Sequence, residues 1–206
     1  PAGDDAIWSH RWAISAEYRN GTRISGYAMQ GEGTPMGVFG HEFGHDLGLP
    51  DLYDTDYSSS GIGTWGMMSG GSWLNGGKTP AQYCAWSKIR LGWIEPVLPL
   101  AGEGEYNLSR VEDNRTVLKI PIDGSAGREY FLLENRQNVG YDTYLPGHGL
   151  LIWHIDEDGS QSNDAHRRVH LEEADNNNNP KQADDPWANT TSGFTNVSSP
   201  SSPDYD

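Results

Sequence analysis

Cysteine is almost missing: Cys84 stands alone among 206 residues. No disulfide can close within the chain, and the multi-cysteine cages usual for structural zinc are excluded. Lacking a partner, the thiol is read as a small buried hydrophobe in a helix over residues 80–91. Long apolar runs are absent too, none reaching the roughly 18 to 20 residues of a membrane span, and no signal peptide is present in the sequence given. Cationic side chains are scarce, with 14 Lys and Arg against 29 Asp and Glu and a formal net charge of −15. That balance repels nucleic acid and anionic membranes, so neither is expected as a partner, and it favours hard cations. The chain reads as a soluble mature segment with room for one sizeable core.

What is present is concentrated in His41-Glu42-Phe43-Gly44-His45-Asp46-Leu47-Gly48-Leu49-Pro50-Asp51. An α-helix returns to the same face after about four residues, so His41 and His45 can turn their rings toward one metal ion. Glu42 lies about a quarter-turn from His41, outside the ligand set but near a metal-bound water whose proton it can take and pass to a departing amine. Zinc would polarise the scissile carbonyl and lower the pKa of that water from about 15.7 to roughly 7. Gly48 can adopt a positive φ and end the helix, which lets Asp51 reach back as the third ligand with Pro50 helping to aim it. Asp54 is the rival for that position, and either carboxylate could instead cap a turn or bind calcium. Thr34-Pro35 is the expected helix start, with Thr34 as N-cap and Pro35 at the first helical position; Met36, Val38, Phe39 and Phe43 supply apolar faces.

These residues and several that follow resemble the secreted metallopeptidases typified by immune inhibitor A, a metzincin-like branch of the zinc proteases. The resemblance runs through Asp51-Leu52-Tyr53-Asp54, Gly63-Thr64-Trp65-Gly66-Met67-Met68-Ser69-Gly70-Gly71-Ser72-Trp73 and Leu91-Gly92-Trp93-Ile94. It continues in Tyr130-Phe131-Leu132-Leu133-Glu134-Asn135-Arg136 and Gly149-Leu150-Leu151-Ile152-Trp153-His154-Ile155-Asp156. It implies a methionine turn beneath the metal, carried by Met68, and a secreted, extracellular enzyme that acts on proteins or peptides. Many metzincins have histidine at the third ligand position, where this chain has Asp51. Forty residues precede His41, fewer than such proteases devote to their upstream sheet, so a fragment lacking part of the N-terminal subdomain is expected.

The fold expected is α+β: a metzincin-like zincin module over residues 1–96 with its active-site helix, then a β-rich extension over residues 97–206 packed on it, with a polar tail from about residue 175. Residues 7–8 and 24–29 are read as strands, the second lining the cleft or lying in the core; His10 is read first as a surface or core histidine. Residues 105–108, 116–122, 129–134 and 149–155 are predicted strands, with Leu151, Trp153 and Ile155 on one face and Ile152 and His154 on the other. His154 is read as structural, needing only a hydrogen-bond partner. Asp156-Glu157-Asp158-Gly159 and Asp184-Asp185-Pro186 concentrate oxygen ligands at turns, which makes calcium a further candidate beside zinc. The predicted activity is zinc-dependent endopeptidase, with His41, His45 and Asp51 holding the metal and Glu42 as general base. The competing class is a catalytically inactive metal-binding scaffold or polymer-binding module.

Overall fold

A computed structural model describes residues 8–99, 104–122, 127–187 and 193–195. Strands β1 (His10–Arg19) and β2 (Thr22–Met29) form an antiparallel hairpin. Its turn is Asn20-Gly21, both at positive φ (50° and 80°), the backbone that lets a two-residue turn follow the strand twist. Of the expected strand at residues 7–8, Trp8 precedes β1 without joining it, and Ile7 lies outside the described residues. The hairpin contributes nothing to the buried apolar core among the described residues, and Trp12 and Tyr18 are each 67% exposed.

Helix α1 (Met36–Asp46) starts one residue later than predicted. Pro35 occupies the N-cap with extended backbone and no side-chain cap bond, while the Thr34 hydroxyl pairs with Ser9 Oγ at 3.0 Å. Thr34 is therefore not the cap. The far end follows expectation: Gly48 takes φ +94°, its N–H donates to the His45 carbonyl and that of Leu49 to the Gly44 carbonyl, both at 3.0 Å. This pair of bonds is the αL termination that glycine permits. The buried face of α1 is not the apolar one: Met36, Phe39 and Phe43 are more than half exposed, and the helix instead buries Gly37 and Gly44. A Cβ at Gly37 would stand 1.8 Å from the Ser72 carbonyl oxygen, and one at Gly44 would stand 2.4 Å from Met68 Sδ. Glycine spacing thus lets the loop after the helix run directly against it.

That loop is irregular from Pro50 onward, with short 3₁₀ turns in Gly70–Gly77 kinked around Asn75. Helix α2 covers Ala85–Arg90, five residues later than the predicted start at Pro80. Residues 80–84 are held extended because their backbone groups are used elsewhere. Ala81 N–H donates to the Gly71 carbonyl (2.9 Å), Gln82 N–H to Asp142 Oδ1 (2.9 Å), and the Gln82 carbonyl accepts from Met67 N–H (3.1 Å). Cys84 is consequently the N-cap residue of α2, buried as expected, and burial pushes its thiol pKa up. Gly92, at φ +68°, follows the end of α2 as read from the sequence.

The remaining strands, β3 (Leu118–Pro121), β4 (Glu129–Arg136), β5 (Gly149–Asp156) and β6 (Val169–Leu171), form one antiparallel sheet in that order. No strand forms at residues 105–108, where Glu105, Tyr106 and Asn107 are exposed: with no core face, the β-formers have nothing to register against. On β5, Leu151, Trp153 and Ile155 enter the main core with Leu132, Trp65, Met68 and Trp86. His154 on the opposite face is 2% exposed, its Nε2 2.8 Å from Glu129 Oε1 and its Nδ1 3.3 Å from Glu172 Oε1. Burial alone would lower the pKa of that imidazole, but the two carboxylates outweigh it and raise it. It is a paired structural histidine.

A buried polar network ties this sheet to the loop after α1. Arg136 clamps Asp142 through Nε (2.8 Å) and Nη2 (2.6 Å), and its Nη1 donates to Glu134 Oε1 (3.2 Å) and the Trp65 carbonyl (3.3 Å). Glu134 Oε1 also accepts from Trp153 Nε1 at 2.9 Å. All three charged residues are fully buried; the bidentate guanidinium–carboxylate pair satisfies Asp142, while Glu134 Oε2 is left without a hydrogen-bond partner. The α+β class is thus observed. Its helices lie between the exposed hairpin and the buried sheet in chain order, and among the described residues no helix is long and apolar enough to cross a membrane.

Candidate metal centre

His41 and His45 project from successive turns of α1, their ring centroids 4.8 Å apart and nearly perpendicular. The Nδ1 of His41 is 3.1 Å from the Met67 carbonyl and that of His45 is 2.9 Å from the Leu49 carbonyl. Carbonyls only accept, so each Nδ1 carries the proton and each Nε2 is left with a lone pair, the tautomer required of a metal ligand. Both Nε2 atoms face one oxygen: Asp51 Oδ1 is 3.0 Å from His41 Nε2 and 3.1 Å from His45 Nε2. Neither contact has hydrogen-bond geometry, and Asp51 Oδ1 is a buried acceptor with no partner. An orphaned carboxylate oxygen facing two imidazole lone pairs is costly unless a cation lies among them. Zinc bonds of about 2.1 Å in a tetrahedron give ligand separations of about 3.4 Å, close to those found. The donor set therefore fits a zinc-sized ion, and two nitrogens with one oxygen suit zinc better than calcium.

Without an ion, protonated imidazoles are the alternative counter-charge to Asp51, and the electrostatics of the trio reflect that competition between proton and metal. Burial opposes ionisation of Asp51, yet the adjacent imidazoles hold its pKa well below the usual carboxylate range. Burial likewise opposes protonation of His45, but Asp51 and the Leu49 carbonyl raise its pKa. Tyr53 stacks over His41 with ring centroids 6.1 Å apart, and burial followed by the Asp51 charge pushes its pKa up to about 12. Asp54, the rival third ligand, is excluded from the cluster: its Oδ2 accepts from Ser58 Oγ and Ser59 N–H (both 2.8 Å) and its Oδ1 from Asp56 N–H (3.1 Å). It closes an Asx-type turn.

Of the three candidate ligands, His41 lines an open cleft of about 1120 Å³ whose walls also include Trp8, Gln30, Glu42, Tyr57 and Trp73. Glu42 thus faces the space beside the trio, one residue on from His41. No residue of 24–29 lines this cleft; the segment immediately after β2, from Gln30 to Pro35, does so instead. His10 is turned away to Tyr27 OH at 3.3 Å. Met68 is 1% exposed and packs under α1 against Gly44, while Met67 lends its carbonyl to His41. Sequence reasoning missed the Met67 carbonyl and the glycine face of α1, although Gly37, Gly40 and Gly44 at helical spacing were visible. Of the two acidic turns, Asp156 pairs with His166 and Asp158 with Arg128, whereas Asp185 joins Glu173 and Asp175 in a separate cluster.

A helix bearing two imidazoles and a flanking glutamate, followed by a glycine-terminated bend and a carboxylate, is a candidate metal-binding site with ligand types and spacing of the kind metal-dependent hydrolases use. Comparison with known proteins adds a likeness over the N-terminal part of the chain. Residues 1–94 match the family model described as immune inhibitor A peptidase M6, catalytic domain. Immune inhibitor A of Bacillus thuringiensis subsp. alesti is 42% identical over a stretch covering 42% of this chain and 15% of that protein. Pre-pro-metalloprotease PrtV of Vibrio cholerae serotype O1 (strain M66-2) is 41% identical over 42% of this chain and 11% of its own length. The family model supports the resemblance over residues 1–94 and does not extend to the motifs at residues 130–136 and 149–156, and the matched stretch spans well under a fifth of the length of these relatives.

Proposed function

We propose that this chain forms the catalytic part of a secreted, extracellular zinc endopeptidase with a metzincin-like active-site helix, and that it hydrolyses peptide bonds of proteins. Residues 1–96 make up the zinc-peptidase core in this reading, and residues 97–206 an extension packed on it. The observation that carries it is the unpartnered Asp51 Oδ1 lying 3.0 and 3.1 Å from the Nε2 atoms of His41 and His45, with His41 and Glu42 lining an open cleft. His41, His45 and Asp51 would hold zinc, with Met68 packed beneath. When bound, the ion supplies Lewis acidity to a scissile carbonyl and gives water a pKa of roughly 7. Glu42 takes the proton from the attacking water and delivers it to the amine nitrogen as the C–N bond breaks, so one carboxylate serves as base and then acid. The Nδ1–H bonds to the Met67 and Leu49 carbonyls hold both rings in register. Extracellular placement accords with a relative named as a pre-pro-metalloprotease. Calcium is the second metal of this reading, with ligands elsewhere in the fold.

The test is casein cleavage by the zinc-loaded chain beside Glu42→Gln, with zinc content measured in both. Glu42→Gln should keep its zinc and lose about 10²- to 10⁴-fold in rate. Equal cleavage by both proteins would reject the proposed base. Bound zinc without cleavage by either would leave the metal-binding scaffold as the better account.

A further inference from the structure

A second cluster of metal-competent groups is separate from the first, and nothing in the peptidase reading requires it. Glu173, Asp175 and Asp185 each bring a carboxylate oxygen within 4.8 Å of the other two. Asp185 is fully buried, Glu173 is 3% exposed and Asp175 is half-buried. Such a gathering of like charge in a low-dielectric interior is unfavourable without a counter-charge; among the described residues no Lys or Arg forms an ion pair with any of the three, and buried Arg167 offers Glu173 only a longer-range attraction that is outweighed. The polar partners present satisfy only part of the cluster. Asp185 Oδ2 accepts from Trp65 Nε1 (2.8 Å) and Gln182 N–H (2.9 Å), and Glu173 Oε2 accepts from Asn179 N–H (2.8 Å). Asp185 Oδ1 is a buried oxygen with no donor at all.

We propose that Glu173, Asp175 and Asp185 form a calcium site that fastens the 173–187 segment to the loop entering the methionine turn. All three donors are hard oxygens with no imidazole or thiolate among them, which selects calcium over zinc. Ligands about 2.4 Å from a shared ion stand at most about 4.8 Å apart, the limit these three meet. Six to eight oxygens are usual, so carbonyls or waters complete the shell. The bare cluster shows its strain in its acidity: burial, followed by the neighbouring carboxylates, pushes Glu173 to about 7 and Asp185 to about 6.

The location gives the ion its structural purpose. Trp65 Nε1 binds Asp185, Thr64 N–H donates to the Pro180 carbonyl at 3.0 Å, and a Cβ at Gly63 would stand 1.8 Å from that same oxygen. Two and three residues beyond Trp65 come Met67, which holds His41, and Met68, which packs under α1. Calcium would thus stiffen the floor of the zinc centre without touching it.

The experiment titrates the full 206-residue chain, zinc-saturated throughout, with calcium by calorimetry and with terbium by luminescence excited through tryptophan. The Trp65 indole donates directly to a proposed ligand, so terbium in this site should be sensitised and Trp65→Phe should lose most of that emission. One calcium per chain is expected, and Asp175→Asn, at the half-buried rim, should weaken it by at least about tenfold. Asp185→Asn should abolish the calcium-induced rise in melting temperature, while Arg128→Gln, at the exposed Asp158 pair, should leave it unchanged. No calcium binding, or binding and emission that survive both aspartate substitutions, would overturn the site. Zinc content and casein cleavage are read separately, so failure here is distinct from failure of the peptidase assignment.

Discussion

The two carboxylate-bearing clusters differ in chemistry and in setting. His41, His45 and Asp51 offer two nitrogens and one oxygen, and His41 lines an open cleft together with Glu42. Glu173, Asp175 and Asp185 offer oxygens alone, with Asp185 fully buried and Glu173 nearly so. In the first, each imidazole is oriented by a backbone carbonyl and one solvent-facing side is left for a reactant. In the second, the surrounding bonds lead to Trp65 and the methionine loop. Ligand softness and access separate a centre suited to catalysis from one suited to fastening.

Substitutions can sharpen that contrast. Asp51→Ala should weaken zinc binding more than about a hundredfold and end proteolysis while leaving terbium emission intact; zinc content, casein cleavage and luminescence on one preparation check it. Parallel loss of terbium emission would mean the clusters are not independent. Arg136→Met should be next in size, because it leaves Asp142 and Glu134 as buried, uncompensated carboxylates beneath the loop both clusters share. A destabilisation of about 3–5 kcal/mol is expected in denaturant unfolding. A loss below about 1 kcal/mol would show that the network contributes little.

Gly44→Ala probes the floor of the zinc centre alone. The added methyl would meet buried Met68 Sδ at 2.4 Å and Tyr83 at 3.2 Å, so about 1–3 kcal/mol of stability and a measurable part of the zinc affinity should be lost. Acidity probes the other cluster. Glu173 and Asp185 have folded pKa values raised to about 7 and about 6, so their protonated forms favour the fold; that contribution is complete below their ordinary values near 4 and lost as pH rises through 6 to 7. Calcium-free protein should therefore lose melting temperature between pH 5 and 7.5 on account of these groups, and saturating calcium should reverse the trend. Identical pH profiles with and without calcium would contradict it.

Much of the first site was legible because it is local. Eleven residues hold both imidazoles, the adjacent glutamate, the terminating glycine and Asp51, and helical spacing brings the nitrogens together without help from distant chain. What surrounds it was less legible. The carbonyl that orients His41 comes from Met67, twenty-six residues on. Residues 80–84 had the composition of a helix start, but their backbone bonds to Gly71, Met67 and Asp142 keep them extended. Residues 105–108 had strand composition and no core to face, and β6, three residues long, was too short to show a period. The second cluster was half visible: Asp185 stood out beside Asp184, yet Asp184 is exposed, and the true neighbours, Glu173 and Asp175, arrive through an irregular turn with no sequence period.

The central claim is tested most directly by an anomalous-difference map, collected at the zinc edge from a zinc-supplemented crystal of the intact chain. The account predicts a peak about 2.0–2.2 Å from His41 Nε2, His45 Nε2 and an Asp51 carboxylate oxygen, open toward the cleft that Glu42 borders. No peak there, with Asp51 hydrogen-bonded to protonated imidazoles, would contradict it.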